Sequence, residues 1–148
     1  MIEVVGFKKD HFHALVDSPI TAHLKNLVTE GQLSFLENCP YSKTILIDNK
    51  PVLTGGLIIH NKNRGEAWAF IDQNSRKYFI SIHNIVRKFL GGTRLRRIEA
   101  VVHHNYLPGH RWVKSLGFTL EAERMREYMF DGGDASLYAK INEVDYGG

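Results

Sequence analysis

Cysteine is almost absent. The single Cys39 in 148 residues cannot form an internal disulfide, and a lone thiol with no histidine or charge pair beside it gives no support to a cysteine nucleophile. No apolar run approaches the roughly 20 residues that cross a bilayer, and no charged-then-apolar leader opens the chain. A reducing cytosol is therefore the expected compartment, without a membrane partner. Charge of one sign is in small excess, with 19 Lys+Arg against 16 Asp+Glu, a net charge of +3 and a pI of about 9.0. That balance permits anionic small ligands but is not the field of a strong nucleic-acid binder. Repeats, low-complexity stretches and internal linkers are also lacking. The eight histidines invite a metal reading, yet His11-Phe12-His13 and His103-His104 have no third and fourth ligand at a recognisable spacing, so no metal is expected.

What is present suits one packed domain over residues 1–148. Hydrophobic residues make up 43% and aromatics 11%, and folding at this length removes roughly 70% of the accessible surface. Ile2 to Phe7 has strand composition and is followed by a helical turn, capped by Asp10, through Phe12, Leu15 and Val16. Ser18-Pro19 resembles an N-cap with proline at the first helical position. Leu24, Leu27, Val28, Gly31 and Phe35 extend that pattern as one helix to about Glu37, broken at Asn38-Cys39-Pro40. Thr44–Asp48, a turn at Asn49-Lys50 and Val52–His60 read as a hairpin whose Gly55-Gly56 pair marks a bulge or a close backbone approach. Glu66–Asp72 adds a third strand after a polar turn. Ser75 is the expected N-cap of a helix with Tyr78, Ile82, Ile85, Val86 and Phe89 on one face, stopped by Gly91-Gly92. Arg97–His103 is a strand, Pro108 opens a short helix ending at Gly117, and Phe118 to about Phe130 pairs with Ala135–Ile141 across Asp131-Gly132-Gly133-Asp134. Tyr146-Gly147-Gly148 reads as a tail without a signal. The order is β-α-α-β-β-β-α-β-α-β-β, a mixed α/β fold.

That order, with Val101-Val102-His103-His104-Asn105 leading into a helix that closes on Lys114-Ser115-Leu116-Gly117-Phe118, resembles the GCN5-related N-acetyltransferase (GNAT) superfamily over nearly the whole chain. Lys50-Pro51-Val52-Leu53-Thr54-Gly55-Gly56-Leu57 is similar to the family's third strand. The resemblance implies a mostly antiparallel sheet with helices on both faces, whose fourth and fifth strands splay to admit acetyl-CoA as co-substrate. It implies an amine acceptor attacking the thioester directly. Backbone N–H groups near Ile71 and Asp72 would polarise the carbonyl, with Asn105 at the end of the fifth strand. The diphosphate would lie on the loop that opens the next helix, where unpaired N–H groups face an anion. In this chain that loop is Gln73-Asn74-Ser75-Arg76-Lys77-Tyr78. Arg76 and Tyr78 stand at the family's two small-residue positions, so Gln73, Ser75, Arg76 and Lys77 are the candidate phosphate contacts, with Arg76 and Lys77 supplying charge in place of glycines.

The tyrosine that commonly protonates the leaving thiolate falls at Val113, which cannot donate a proton. Tyr106, His110 and Tyr128 are the substitutes, and Tyr106 is carried forward as the candidate acid. Glu66 lies where many family members place a general base, and is otherwise a solvated strand-end carboxylate. His103 and His104 face opposite sides by strand alternation. Arg94, Arg96 and Arg97 are a solvated strand entry, a contact for the adenosine 3′-phosphate or a contact for nucleic acid, the last without the aromatic-interleaved basic stripe such binding uses. Trp68, Arg76-Lys77-Tyr78 and Arg111 to Gly117 are further similar to small acetyltransferase-like proteins of tailed bacteriophages. Some of those serve as virion or morphogenesis proteins. Two functions follow: an acyl-CoA-dependent N-acetyltransferase, cytoplasmic, or an inactive phage accessory protein that acts through protein contacts in the host cytoplasm or a virion.

Overall fold

A computed structural model describes residues 1–19 and 22–142; the tail expected at Tyr146–Gly148 lies outside them. The elements run β1 (Ile2–Gly6), α1 (Lys9–Leu15), a 3-10 segment (Ala22–Leu27), α2 (Glu30–Asn38), β2 (Lys43–Ile47), β3 (Lys50–Ile59), β4 (Arg64–Ile71), a second 3-10 segment (Gln73–Tyr78), α3 (Phe79–Gly91), β5 (Arg97–His103), α4 (Leu107–Ser115), β6 (Thr119–Met125) and β7 (Ala135–Ile141). The seven strands form one sheet in the order β1-β2-β3-β4-β5-β7-β6. The β4–β5 pair is parallel, and β1–β2, β2–β3, β5–β7 and β6–β7 are antiparallel. Among the described residues no helix is long and apolar enough to cross a membrane.

Two compact units divide the chain. The first comprises Met1–Ile58 and Trp68–Val86, and the second Ile59–Ala67 with the chain from Arg87 onward.

In the first unit Phe7, Phe12, Leu15, Val16, Leu33 and Leu36 form the core, with Leu24, Val28, Ile58, Trp68 and Phe70 packed against it. The residue that caps α1 is Lys8, not Asp10, which lies inside the first turn. The His11 ring turns back to accept the Lys8 N–H at Nδ1, 3.1 Å away, and so satisfies a donor that the turn would otherwise leave open. The single helix expected from Ser18 to Glu37 is two segments. Thr29 starts the second through a reciprocal cap: its hydroxyl accepts the Gln32 N–H at 3.1 Å, and the Gln32 side chain accepts the Thr29 N–H at 2.8 Å. That new start re-phases the helix, so Leu33 and Leu36 are buried and Phe35 is exposed. Ser18 and Pro19 lie ahead of α2 in a bend and a turn.

The β2–β3 hairpin turns on Asp48 and Asn49, both at positive φ (50° and 65°), one residue earlier than expected. These values are those of a two-residue turn whose twist matches the strands. The bulge falls at Ile45/Leu46 opposite Pro51–Leu53, where proline has no N–H to give to the ladder. The glycine pair serves close approach instead: a Cβ on Gly55 would lie 2.7 Å from the Trp68 carbonyl oxygen, and one on Gly56 2.2 Å from that of Tyr41.

In the second unit β5 alternates buried Ile98, Ala100 and Val102 with partly exposed neighbours and pairs with β7 along its whole length. The helix α4 has Pro108 in its first turn and stops at Gly117, whose φ of 96° lets Phe118 N–H reach the Val113 carbonyl at 3.0 Å. Two register shifts shorten β6, which ends at Met125 rather than near Phe130.

Candidate active site

At the end of β4 and the start of α3, within the first unit, the chain brings Ile71, Asp72, Gln73, Ser75, Arg76 and Lys77 together. Asp72 is the pivot. It is buried, its N–H donates to the Val52 carbonyl at 2.9 Å, its Oδ1 accepts the Asn74 N–H at 2.9 Å, and its carbonyl accepts the Ser75 N–H at 3.0 Å. The N-cap is thus Asp72, not Ser75; Ser75 is buried at a kink, with φ −95° and ψ 20°. The backbone of a strand alternates its N–H groups between the two edges. Because Asp72 N–H is aimed at β3, strand alternation aims the Ile71 N–H to the other side.

The phosphate-side residues are a carboxylate cap followed by exposed cations. Arg76 and Lys77 are both exposed. The Lys77 ammonium stands 5.1 Å over the Tyr78 ring centroid and also helps hold the Asp48 carboxyl below its usual range, after the larger effect of the N-terminal amine. An anion here would meet two cationic side chains but also the Asp72 carboxylate. A bare glycine loop offers the reverse balance, backbone donors without opposing charge.

Glu66 belongs to the second unit and is about one-third exposed. Its Oε2 lies 3.3 Å from His60 Nε2. In the parallel ladder Glu66 is registered with Glu99, and Arg64 with Arg97. Glu99 is held by Arg64 at 2.6 Å and by Arg97 at 3.3 Å, and Arg97 binds Glu121 at 2.5 Å as well. The ladder covers Arg64–Ala67 of β4, and the strand runs on to Ile71.

Asn105 lies in the turn after β5, and Tyr106 caps α4 with its N–H on the His103 carbonyl at 2.9 Å. A Cβ on Gly109 would fall 2.8 Å from the Tyr106 ring and 2.8 Å from a Val102 methyl, so the glycine is what lets the ring lie against α4. Of the other candidate acids, Tyr128 is exposed, whereas His110 is tied down: Nδ1 to the Tyr138 hydroxyl at 2.7 Å and Nε2 to the His104 carbonyl at 2.8 Å. Val113 is a buried core residue. His103 and His104 both bind the last hairpin, His103 through Asp131 at 3.6 Å and His104 through the Glu123 carbonyl at 3.1 Å. Burial pushes the Cys39 thiol up, away from nucleophilic use. Among the described residues no group of three or more His, Cys, Asp or Glu is placed to hold a metal ion.

The sequence reading missed the His60–Glu66 pair. It rests on a bulge in which His60 and Asn61 both donate their N–H to the Arg64 carbonyl, a feature of strand register that the residues themselves do not signal.

No family model matches the chain, and no curated protein does. Solved structures match it over nearly its full length. Ard1 from Thermoplasma volcanium has a TM-score of 0.79 at 12% identity, covering 97% of this chain and 99% of the other. The ribosomal-protein-S18-alanine N-acetyltransferase of Escherichia coli has a TM-score of 0.74 at 14% identity, covering 99% and 98%. A ribosomal L7/L12 alpha-N-protein acetyltransferase in complex with coenzyme A has a TM-score of 0.68 at 16% identity, covering 97% and 96%. The chain has the fold of the GNAT acetyltransferases.

Proposed function

We propose that residues 1–148 act as one acetyltransferase-like domain that binds acetyl-CoA and transfers the acetyl group to an amine by direct attack. The observation that carries this reading is the near-full-length match of the strand order and helices to acetyltransferases, one of them with coenzyme A bound. Two of those proteins bear the names of ribosomal-protein acetyltransferases, one of them an alpha-N-protein acetyltransferase, which supports an α-amine of a protein as the acceptor.

In this reading Ile71 N–H polarises the thioester carbonyl, and Asn105 contributes where β5 ends. Arg76 and Lys77 contact the diphosphate, with Gln73 and Ser75 shaping the backbone beneath them. Glu66 takes the proton of the acceptor ammonium. The free amine attacks the thioester carbon, the C–S bond breaks as Tyr106 gives its proton to the thiolate, and the new amide nitrogen loses its extra proton through water, which restores the Tyr106 hydroxyl. Holding thioester and amine together makes the reaction effectively unimolecular. The test is mass-spectrometric detection of acetylated peptides of varied N-terminal residue, with Glu66→Gln and Tyr106→Phe as controls. Acetylation that falls at least about tenfold in Glu66→Gln supports the assignment; transfer at the wild-type rate removes Glu66 from it.

A second reading keeps the fold without the chemistry, as an accessory or virion protein working through protein contacts. What favours it is Asp72: a carboxylate already occupies the helix cap that an acyl-CoA diphosphate would use. Recovery of the chain at stoichiometric amounts in particles, without acyl-CoA affinity, would select it.

A further inference from the structure

The charged face of the second unit contains a pair that the mechanism above leaves unexplained. Arg64, Arg97, Glu99 and Glu121 are joined in one network of ion pairs. Glu66, the cross-strand neighbour of Glu99, stands apart from it with an imidazole as its partner. The hairpin sets this up. His60 and Asn61 N–H both donate to the Arg64 carbonyl, at 3.0 and 3.2 Å, a bulge that sets residues 60 and 61 against 64 and leaves the His60 ring within reach of Glu66. Both side chains are about one-third exposed, reachable by a substrate yet held in place.

From this geometry we infer that His60 is the positioning residue for Glu66, an inference that rests on reading Glu66 as the general base. A carboxylate can only accept, so at 3.3 Å the proton of the contact belongs to the imidazole, on Nε2. That N–H fixes Oε2, and Oε1 is left without a hydrogen bond among the described residues. Oε1 therefore receives the ammonium proton: the N–H bond of the acceptor breaks, an O–H bond forms on Glu66, and the amine keeps the electron pair with which it attacks the thioester. The carboxyl proton then passes to water. An arginine in place of His60 would hold Glu66 as a fixed anion and weaken it as a base. The two arginines nearby are instead committed to Glu99 and Glu121.

The test uses the full chain with His60→Ala, His60→Gln and Glu66→Gln. The amide N–H of glutamine replaces the donor, so kcat is expected to fall about tenfold or more in His60→Ala, with KM for acetyl-CoA unchanged, and to recover to within about threefold of wild type in His60→Gln. Independently of activity, nitrogen NMR of the His60 ring is expected to show Nε2 protonated in the wild type and a mixture of tautomers in Glu66→Gln. Wild-type kcat in His60→Ala, no recovery in His60→Gln, or a tautomer indifferent to Glu66 each overturns the inference. A wild-type chain that transfers no acetyl group overturns the base assignment itself, and an active chain insensitive to His60 overturns this role alone.

Discussion

His110 on α4 accepts a hydrogen bond from the hydroxyl of Tyr138 on β7, 2.7 Å from Nδ1, while its Nε2–H is spent on the His104 carbonyl at 2.8 Å. A carbonyl only accepts, so Nε2 carries the proton and Nδ1 the lone pair. Tyr138 is fully buried, and burial pushes its phenol above the ordinary value, which keeps it a donor. Tyr138→Phe leaves Nδ1 unpaired and is expected to destabilise the protein by about 1–2 kcal/mol. Adding His110→Leu should cost less than the sum of the two single changes, because both partners are then gone. Chemical denaturation of the four proteins of this cycle measures it, and strict additivity would deny the coupling.

Stability should fall below neutral pH through His11. Burial first, and then the Lys8 ammonium, hold this imidazole below its ordinary 6.5, outweighing Asp10 and Glu37. Its Nδ1 accepts the Lys8 N–H and lies 2.8 Å from the Thr44 hydroxyl, contacts that need an unprotonated nitrogen. A lowered value means that the unfolded chain takes up the proton first. The contribution is complete above the unfolded value and is lost as pH falls from about 6.5 toward the folded one. Urea midpoints at about pH 7.5 and pH 5.5 should differ more in the wild type than in His11→Gln. An equal difference in both would contradict this.

At the start of α3, Asp72 and Arg76 should act on acyl-CoA in opposite senses. Asp72→Asn keeps an oxygen to cap Asn74 while removing a negative charge, and is expected to tighten acetyl-CoA binding about threefold or more. Arg76→Glu reverses a cation and should weaken binding about tenfold, less so at high salt. Equilibrium titration at two ionic strengths reads both. Neither change having an effect would place the diphosphate elsewhere.

Gly56 is needed for packing rather than for a turn. The carbonyl oxygen of Tyr41 lies 2.2 Å and the Ser42 Cα 2.9 Å from where a Cβ would sit. Gly56→Ala is expected to cost about 1–3 kcal/mol. At Gly31, in α2, the nearest atom is 3.8 Å away, and Gly31→Ala should stabilise by about 0.5–1 kcal/mol. Melting temperatures moving in opposite directions are the expected result.

Much of the second unit was legible in the chain. The strand Arg97–His103 and the helix from Pro108 to Gly117 coincide with the structure because alternation, proline and glycine all mark them. The region before Cys39 was read as one helix because Leu24, Leu27, Val28 and Phe35 keep a helical spacing; the Thr29 and Gln32 cap overrides that spacing and turns Phe35 outward. At the candidate site the cap was expected at Ser75, whereas Asp72 takes it by accepting the Asn74 N–H in a local Asx turn. Its N–H on Val52 and the His60–Glu66 pair depend on strand register, which single residues do not announce.

Calorimetric titration of the ligand-free protein with acetyl-CoA, checked by the rise in melting temperature that ligand linkage requires, tests the central claim most directly. The account predicts saturable binding with Kd on the order of micromolar, tighter in Asp72→Asn and weaker in Arg76→Glu. No heat and no thermal shift up to millimolar acetyl-CoA would contradict it and leave a GNAT fold that works through protein contacts.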